Sequence, residues 1–345
     1  ASNTGHVDAR DSLFPYMYIG GGPGPKTDIH RVDYSNDTAL ALIKSYLSTG
    51  KYANAAMSSV NFGYWNGGQP GTTTAEVQRL DYANETSNSV TRGPLSASHG
   101  YHAGLSNTSY GYFAGGYPTM TTVDRVDFSN DTSTGVAKGP LSTGRSKHGA
   151  AGNQNFGYVG GGGTPSTGTT IVERIDYSND TATGAAKGPL NAARYYMAAT
   201  GNQDYGYFGS GYGSGVTSVD RIDYSNDTAT ASARGPLWSN PSAKGFYSAS
   251  GSTSYGYFAG GGDGEGSTVD RVDYSNDTAT GLARGNLVKI IMKLGGTSAQ
   301  CNALQNNQTY STTASSSDEV SGTKVINRGN NFGYFAGGKE PSSVT

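Results

Sequence analysis

Cysteine is nearly absent from this 345-residue chain, which has only Cys301. A single thiol excludes an intrachain disulfide framework and any zinc site built on paired cysteines. Charge is scarce as well: Asp, Glu, Lys and Arg make up 14% of residues, with a net charge of −2, against about 25% in an average domain. That balance gives no basic footprint for nucleic acid and no electrostatic hold on an anionic membrane. Long apolar runs are missing. The stretch from Leu287 to Met292 is broken by Lys289 and falls far short of the ~18 residues of a membrane span. The opening residues, Ala1 to His6, carry neither the basic nor the apolar stretch of a secretory leader.

Catalytic signatures are lacking too. No Gly-x-Ser-x-Gly elbow and no Gly-x-x-x-x-Gly-Lys-Ser/Thr phosphate loop occurs. The histidines are scattered at His6, His30, His99, His102 and His148. His99 and His102 stand three apart, so on a strand they face opposite sides and act together only across a turn. The chain is therefore expected to be non-enzymatic, with no cofactor and no metal.

What is abundant is glycine and tyrosine, 53 and 25 residues. Glycine at roughly 15% is double the usual ~7%, yet no Gly-X-Y period runs through it and collagen is excluded. With helix formers scarce and Gly, Ser, Thr, Tyr and Asn plentiful, the class is all-β.

The chain repeats. Asp-Tyr-Ser-Asn-Asp-Thr or a close variant begins at Asp33, Asp81, Asp127, Asp176, Asp223 and Asp273, at intervals of 46–50 residues, the spacing of propeller blades. An aromatic-x-aromatic phrase, with Gly at x in all but the first copy and ending in Gly-Gly in all but the fifth, precedes each copy, starting at Tyr16, Phe62, Tyr110, Phe156, Tyr205 and Tyr255, with one more at Phe332. Each unit reads as four strands. Strand A follows Gly-Pro-Leu, strand B is Tyr-Gly-Tyr-Phe-Ala-Gly-Gly, strand C is Val-x-Arg-Val/Ile-Asp-Tyr, and strand D leads to a basic residue and the next Gly-Pro-Leu. One such sheet cannot cover both of its own faces, so neighbours must.

On these residues the chain resembles the kelch family of β-propellers: the double glycine ending strand B, the Val-x-Arg-Val strand C, and the polar turn before Pro-Leu. The kelch tryptophan of strand D is absent, because Trp65 and Trp238 sit elsewhere. The near-identical wording of the copies also resembles repeats in virion structural and tail-fibre-associated proteins of marine bacteriophages. The resemblance implies a β-propeller of four-stranded antiparallel blades, and length points to seven blades with six as the alternative. Residues 1–345 are then one propeller, with six regular repeats over 16–288 and a divergent closing segment over 289–345. The segment around His6 to Arg10 is one candidate to complete the last blade. The function implied is an adhesion or structural module on a virion surface or otherwise outside the cell. Its partners would be protein subunits of a larger assembly or cell-surface glycans. A free carbohydrate-binding lectin is the alternative. A copper-radical oxidase would need Cys301 for its Tyr–Cys cross-link.

Residues that recur in every copy read as scaffold. Arg31/Asp33, Arg79/Asp81, Arg125/Asp127, Arg174/Asp176, Arg221/Asp223 and Arg271/Asp273 each share one strand face and are expected to form structural ion pairs between blades. The Asn-Asp-Thr turns match a glycosylation pattern at Asn36, Asn130, Asn179, Asn226 and Asn276. They also offer oxygen ligands without any calcium-loop spacing, and turn chemistry alone accounts for them. Function is expected where copies differ, in the B–C loops and D–A connections, which share one face of an A-B-C-D meander. Aromatic and arginine side chains most often anchor interfaces, so Tyr101, Arg145, Tyr195, Trp238 and Tyr247 are the candidate partner-binding residues.

Overall fold

The computed structural model describes residues 15–68 apart from 23 and 25, then 73–164, 167–213, 218–238, 245, 247–261, 266–289, 295–297, 324–327 and 333–336. The chain divides into two units, Ala1–Asn306 and Asn307–Thr345. In the second, Lys324–Asn327 pairs antiparallel with Gly333–Ala336.

The first unit is a β-propeller of six four-stranded antiparallel blades. In blades 2 to 6, strand A is Asn54–Ser58, Ala103–Ser106, Gly149–Gly152, Ala198–Gly201 and Tyr247–Gly251. Strand B is Phe62–Gly67, Tyr110–Ala114, Phe156–Gly160, Tyr205–Gly209 and Tyr255–Gly260. Strand C is Val77–Asp81, Val123–Asp127, Val172–Asp176, Val219–Asp223 and Val269–Asp273, and the short strand D follows. Blade 1 is composite. Its strands B, C and D are Tyr16–Gly20, Lys26–Asp33 and Leu42–Lys51, while strand A is Gly295–Thr297 from the far end of the unit. The A strands neighbour one another in a closed circle, blade 1 touching both blade 6 and blade 2.

Six blades replace the seven that length suggested. The divergent segment gives blade 1 a single strand, and the seventh aromatic-Gly-aromatic phrase pairs with Lys324–Asn327 in the second unit. The stretch from His6 to Arg10 lies outside the described residues.

The core lies between blades. Six hydrophobic clusters occupy the six junctions. Strand B explains why: consecutive side chains point to opposite faces, so Tyr112 packs toward blade 4 while Phe113 packs toward blade 2. The second aromatic of each strand B stacks on the aromatic that follows strand C in the next blade. Tyr112 on Tyr177 has centroids 4.8 Å apart, and Tyr257 on Tyr34 closes the circle at 4.7 Å.

Above these stacks runs a ring of ion pairs. Arg31, Arg79, Arg125, Arg174, Arg221 and Arg271 reach the turn acids of the following blade, Glu85, Asp131, Asp180, Asp227, Asp277 and Asp37, at 2.6–2.8 Å. The same acids accept from the stacked tyrosines, for instance Tyr112 Oη on Asp180 at 3.1 Å. The partner is thus the turn acid across the junction, not the aspartate on the arginine's own strand. Asp33, Asp81, Asp127, Asp176, Asp223 and Asp273 instead accept the backbone N–H two residues on, at 2.9 Å, fixing the turn after strand C.

Gly-Pro-Leu has a junction role as well. Gly139 N–H donates to the Asp180 carbonyl at 2.8 Å, and a Cβ on Gly139 would stand 1.9 Å from the Ala182 carbonyl oxygen. The Pro140 carbonyl accepts from Gly184 N–H, and Leu141 is buried in the junction cluster.

Candidate functional site at the axial loop face

In blades 2 to 5 the D–A connection crosses the end of the blade and enters strand A through one strained residue. Ala53, Tyr101, Lys147 and Tyr196 all have positive φ, between 52° and 62°, which costs a non-glycine residue roughly 1–2 kcal/mol. What holds them is a chain of backbone hydrogen bonds between blades. Tyr101 N–H donates to the Ala53 carbonyl (3.0 Å), Lys147 N–H to Tyr101 (2.7 Å) and Tyr196 N–H to Lys147 (2.7 Å). The B–C loops are tied to the same layer: Tyr117 N–H donates to the Gly100 carbonyl, and Arg194–Tyr195 pairs with Tyr212–Gly213.

This latch gathers aromatic side chains around one cation. Lys147 Nζ lies 4.5 Å from the Tyr196 ring centroid and 5.8 Å from those of Tyr101 and Tyr195. Tyr101 meets Tyr196 edge-on at 5.6 Å, and Tyr212 lies 5.7 Å from Tyr195 and 6.1 Å from Tyr196. Lys147 is buried and the tyrosines are half-buried. Burial, a side-chain hydrogen bond with Tyr101 and the nearby Tyr195 and Tyr52 push the Tyr196 phenol well above its ordinary pKa. Tyr52, next to Ala53 in the chain, also lines a cleft of about 170 Å³ with Thr49, Lys51, Gly68, Thr74 and Glu76. In that cleft Glu76 accepts from Lys51 Nζ at 3.0 Å and from Thr91 Oγ1 at 2.9 Å. Burial opposes its charge, but Lys51 and the hydroxyls hold its pKa below the ordinary value.

Of the five candidate partner-binding residues, the structure brings Tyr101 and Tyr195 together here. Arg145 is elsewhere in depth: it is buried, pairs with buried Glu173 at 2.8 Å, and donates to the Val159 carbonyl at 2.9 Å. It offers no guanidinium to a partner. The position two residues before the strained one points into the blade, where Lys51, His99 and Arg194 likewise pair with Glu76, Asp124 and Asp220. Trp238 is 62% exposed, apart from the tyrosine cluster. Tyr247 begins strand A of blade 6, and its side chain lies outside the described residues.

Lys147, Tyr196 and Tyr212 belong to the variable loops but were not among the five ranked candidates, and Tyr52 was not singled out from sequence. Aligning the D–A connections on the start of strand A would have found the first two, because both stand at the same offset from it.

His102 and His148 wedge between blades, whereas His99 lies within its own blade, 2.7 Å from the Gly115 carbonyl and 2.9 Å from Asp124. His99 and His102 do meet, with rings 5.2 Å apart across the turn at Tyr101. His102 and His148 begin the path into strand A, where other blades carry Asn54 and Met197, and His148 Nε2 lies 2.9 Å from the Ala114 carbonyl as Asn54 Nδ2 lies 3.0 Å from that of Gly20. A position that accepts Asn and Met equally is a packing position. Burial holds His148 down to about 3 and His102 well below its ordinary value. Among the described residues, no group of three His, Cys, Asp or Glu side chains could hold a metal ion. Cys301 lies outside the described residues. No helix of the described residues is long and apolar enough to cross a membrane.

No protein-family model matches the chain, and no curated protein is significantly similar to it in sequence.

Proposed function

We propose that this chain is a non-enzymatic binding module of the kelch-like kind, serving adhesion or assembly on a virion surface or elsewhere outside a cell. Its partner, a cell-surface component or a sister subunit, rests against the axial loop face. One observation carries the reading: four non-glycine residues are held in left-handed conformation to collect half-buried tyrosines around Lys147 on that face. Strain of this kind gathers where a surface is preorganised for contact. Tyrosine supplies rigid, amphipathic area at low entropic cost. The residues common to all blades are spent on the junctions, which supports placing function in the loops that differ. The wording of the repeats, which resembles that of phage virion proteins, is what suggests the adhesion setting.

The test is binding of the purified chain to intact candidate host cells and to a glycan array. The comparison is a variant with Tyr101→Ala and Tyr195→Ala whose melting temperature is unchanged. Binding by the wild type that is lost in the folded variant supports the reading. Equal binding by both would remove the face from consideration.

A further inference from the structure

The tyrosine cluster and the neighbouring cleft form one surface. Tyr52 lines the cleft, and the next residue, Ala53, accepts the hydrogen bond that seats Tyr101 at 3.0 Å. The cleft is small. At about 170 Å³ it lies below the ~300–1,000 Å³ of ordinary small-molecule sites, so it suits one compact polar ring and not a large cofactor. Its walls are mostly apolar, with Tyr52 and glycine backbone among them. The fixed polar group is the Glu76 carboxylate, held by Lys51, Thr49 and Thr91 yet still 23% exposed. Beside it stand aromatic faces. Aromatic rings beside a narrow cleft that holds one fixed carboxylate complement a pyranose, whose C–H face stacks on an aromatic ring while its equatorial hydroxyls seek acceptors.

We propose that the ligand of the axial face is a neutral hexopyranose, the exposed residue of a surface glycan. It stacks on the tyrosines and turns its hydroxyl edge toward Glu76 and Thr49. This rests on the binding-module reading above and names its ligand class. A protein partner is the competing outcome: it needs a broad complementary patch and has no use for a cleft of this size.

Saturation-transfer NMR with glucose, galactose, mannose and N-acetylglucosamine as probes tests the proposal. At least one sugar should receive saturation at its ring C–H protons. Tyr52→Ala and Tyr195→Ala should each weaken binding about tenfold, the worth of one stacked aromatic face. Trp238→Ala, which lies off the site, should bind as wild type. Thermal melts of every variant separate lost contacts from lost folding. Transfer to none of the four sugars overturns the proposal, as does transfer that survives both alanine variants. If intact cells still bind through the face while no sugar does, the ligand is a protein: the saccharide is refuted and the binding module stands.

Discussion

Asp180 ties blade 4 to blade 3, and removing its carboxylate measures what one junction contributes. Its side chain, 8% exposed, takes Arg125 Nη1 at 2.8 Å, Tyr112 Oη at 3.1 Å and Lys138 Nζ at 3.2 Å. In Asp180→Ala the Tyr112 hydroxyl is left buried without its acceptor, at a cost of about 1–3 kcal/mol, and two cations from blade 3 face each other. Breaking a fully buried pair costs about 3–5 kcal/mol. Arg125 is 23% exposed, so water recovers part of that, and the total should be about 2–4 kcal/mol. At about 2 °C per kcal/mol for a chain of this size, Tm should fall roughly 4–8 °C in a calorimetric scan. Asp176→Ala is the comparator. It removes an aspartate four residues away that only caps a turn and should cost about 1 kcal/mol. Tyr112→Phe should cost about 1 kcal/mol as well. If Asp180→Ala melted no lower than Asp176→Ala, the ion-pair ring would be ornament and the argument that repeated residues are spent on junctions would fail. Asp37→Ala should match Asp180→Ala, because Asp37 plays the same part for Arg271 and Tyr257 at the junction that closes the circle.

Acid should loosen the same junctions by another route. His148 and His30 are buried neutral, held down to about 3 and about 4 by desolvation, whereas an unfolded histidine titrates near 6.5. The unfolded chain therefore binds more protons, and stability is lost as pH falls from about 6.5 toward those folded values. His148→Met, copying Met197, should retain roughly 2 kcal/mol more of its neutral-pH stability at pH 4.5 than wild type, measured by denaturant titration at both pH values. At the alkaline end, Tyr18, Tyr64, Tyr112, Tyr158, Tyr196, Tyr207 and Tyr257 have phenols raised by burial and, for all but Tyr196, by their carboxylate acceptors. An unfolded phenol ionises near 10, so stability is lost as pH rises past that value. Phenolate absorbance should show this group ionising together with unfolding, and a smooth titration of all tyrosines near pH 10 in the folded protein would contradict it. Gly139→Ala drives a Cβ against the Ala182 carbonyl and should cost about 3 kcal/mol or more. Gly24→Ala, with open space around it and φ of +76°, should cost about 1 kcal/mol; parallel thermal melts compare the two.

By itself the sequence determined the all-β class, the four strands of each repeat and the division between repeated scaffold and varying loops. These follow from local rules: alternation along Tyr-Gly-Tyr-Phe, turn chemistry at Ser-Asn-Asp, and a glycine-proline pair at a strand end. Tertiary structure alone decided what crosses between blades. Arg125 finds Asp180 and not Asp127, because two residues on one strand face cannot compete with an acid that the next blade carries into contact with both Arg125 and Tyr112. Blade number depended on closure, which Gly295–Thr297 supplies by pairing with Tyr16–Gly20 across the whole unit, a partnership no period reveals. Loop chemistry was legible and loop depth was not. Arg145 and Lys147 stand two residues apart in one connection, yet the first is locked beneath the surface with Glu173 and the second is ringed by tyrosines. The left-handed residue at the entry to strand A in blades 2 to 5 sets that difference. It turns the chain over the end of the blade, so neighbouring side chains go to different layers.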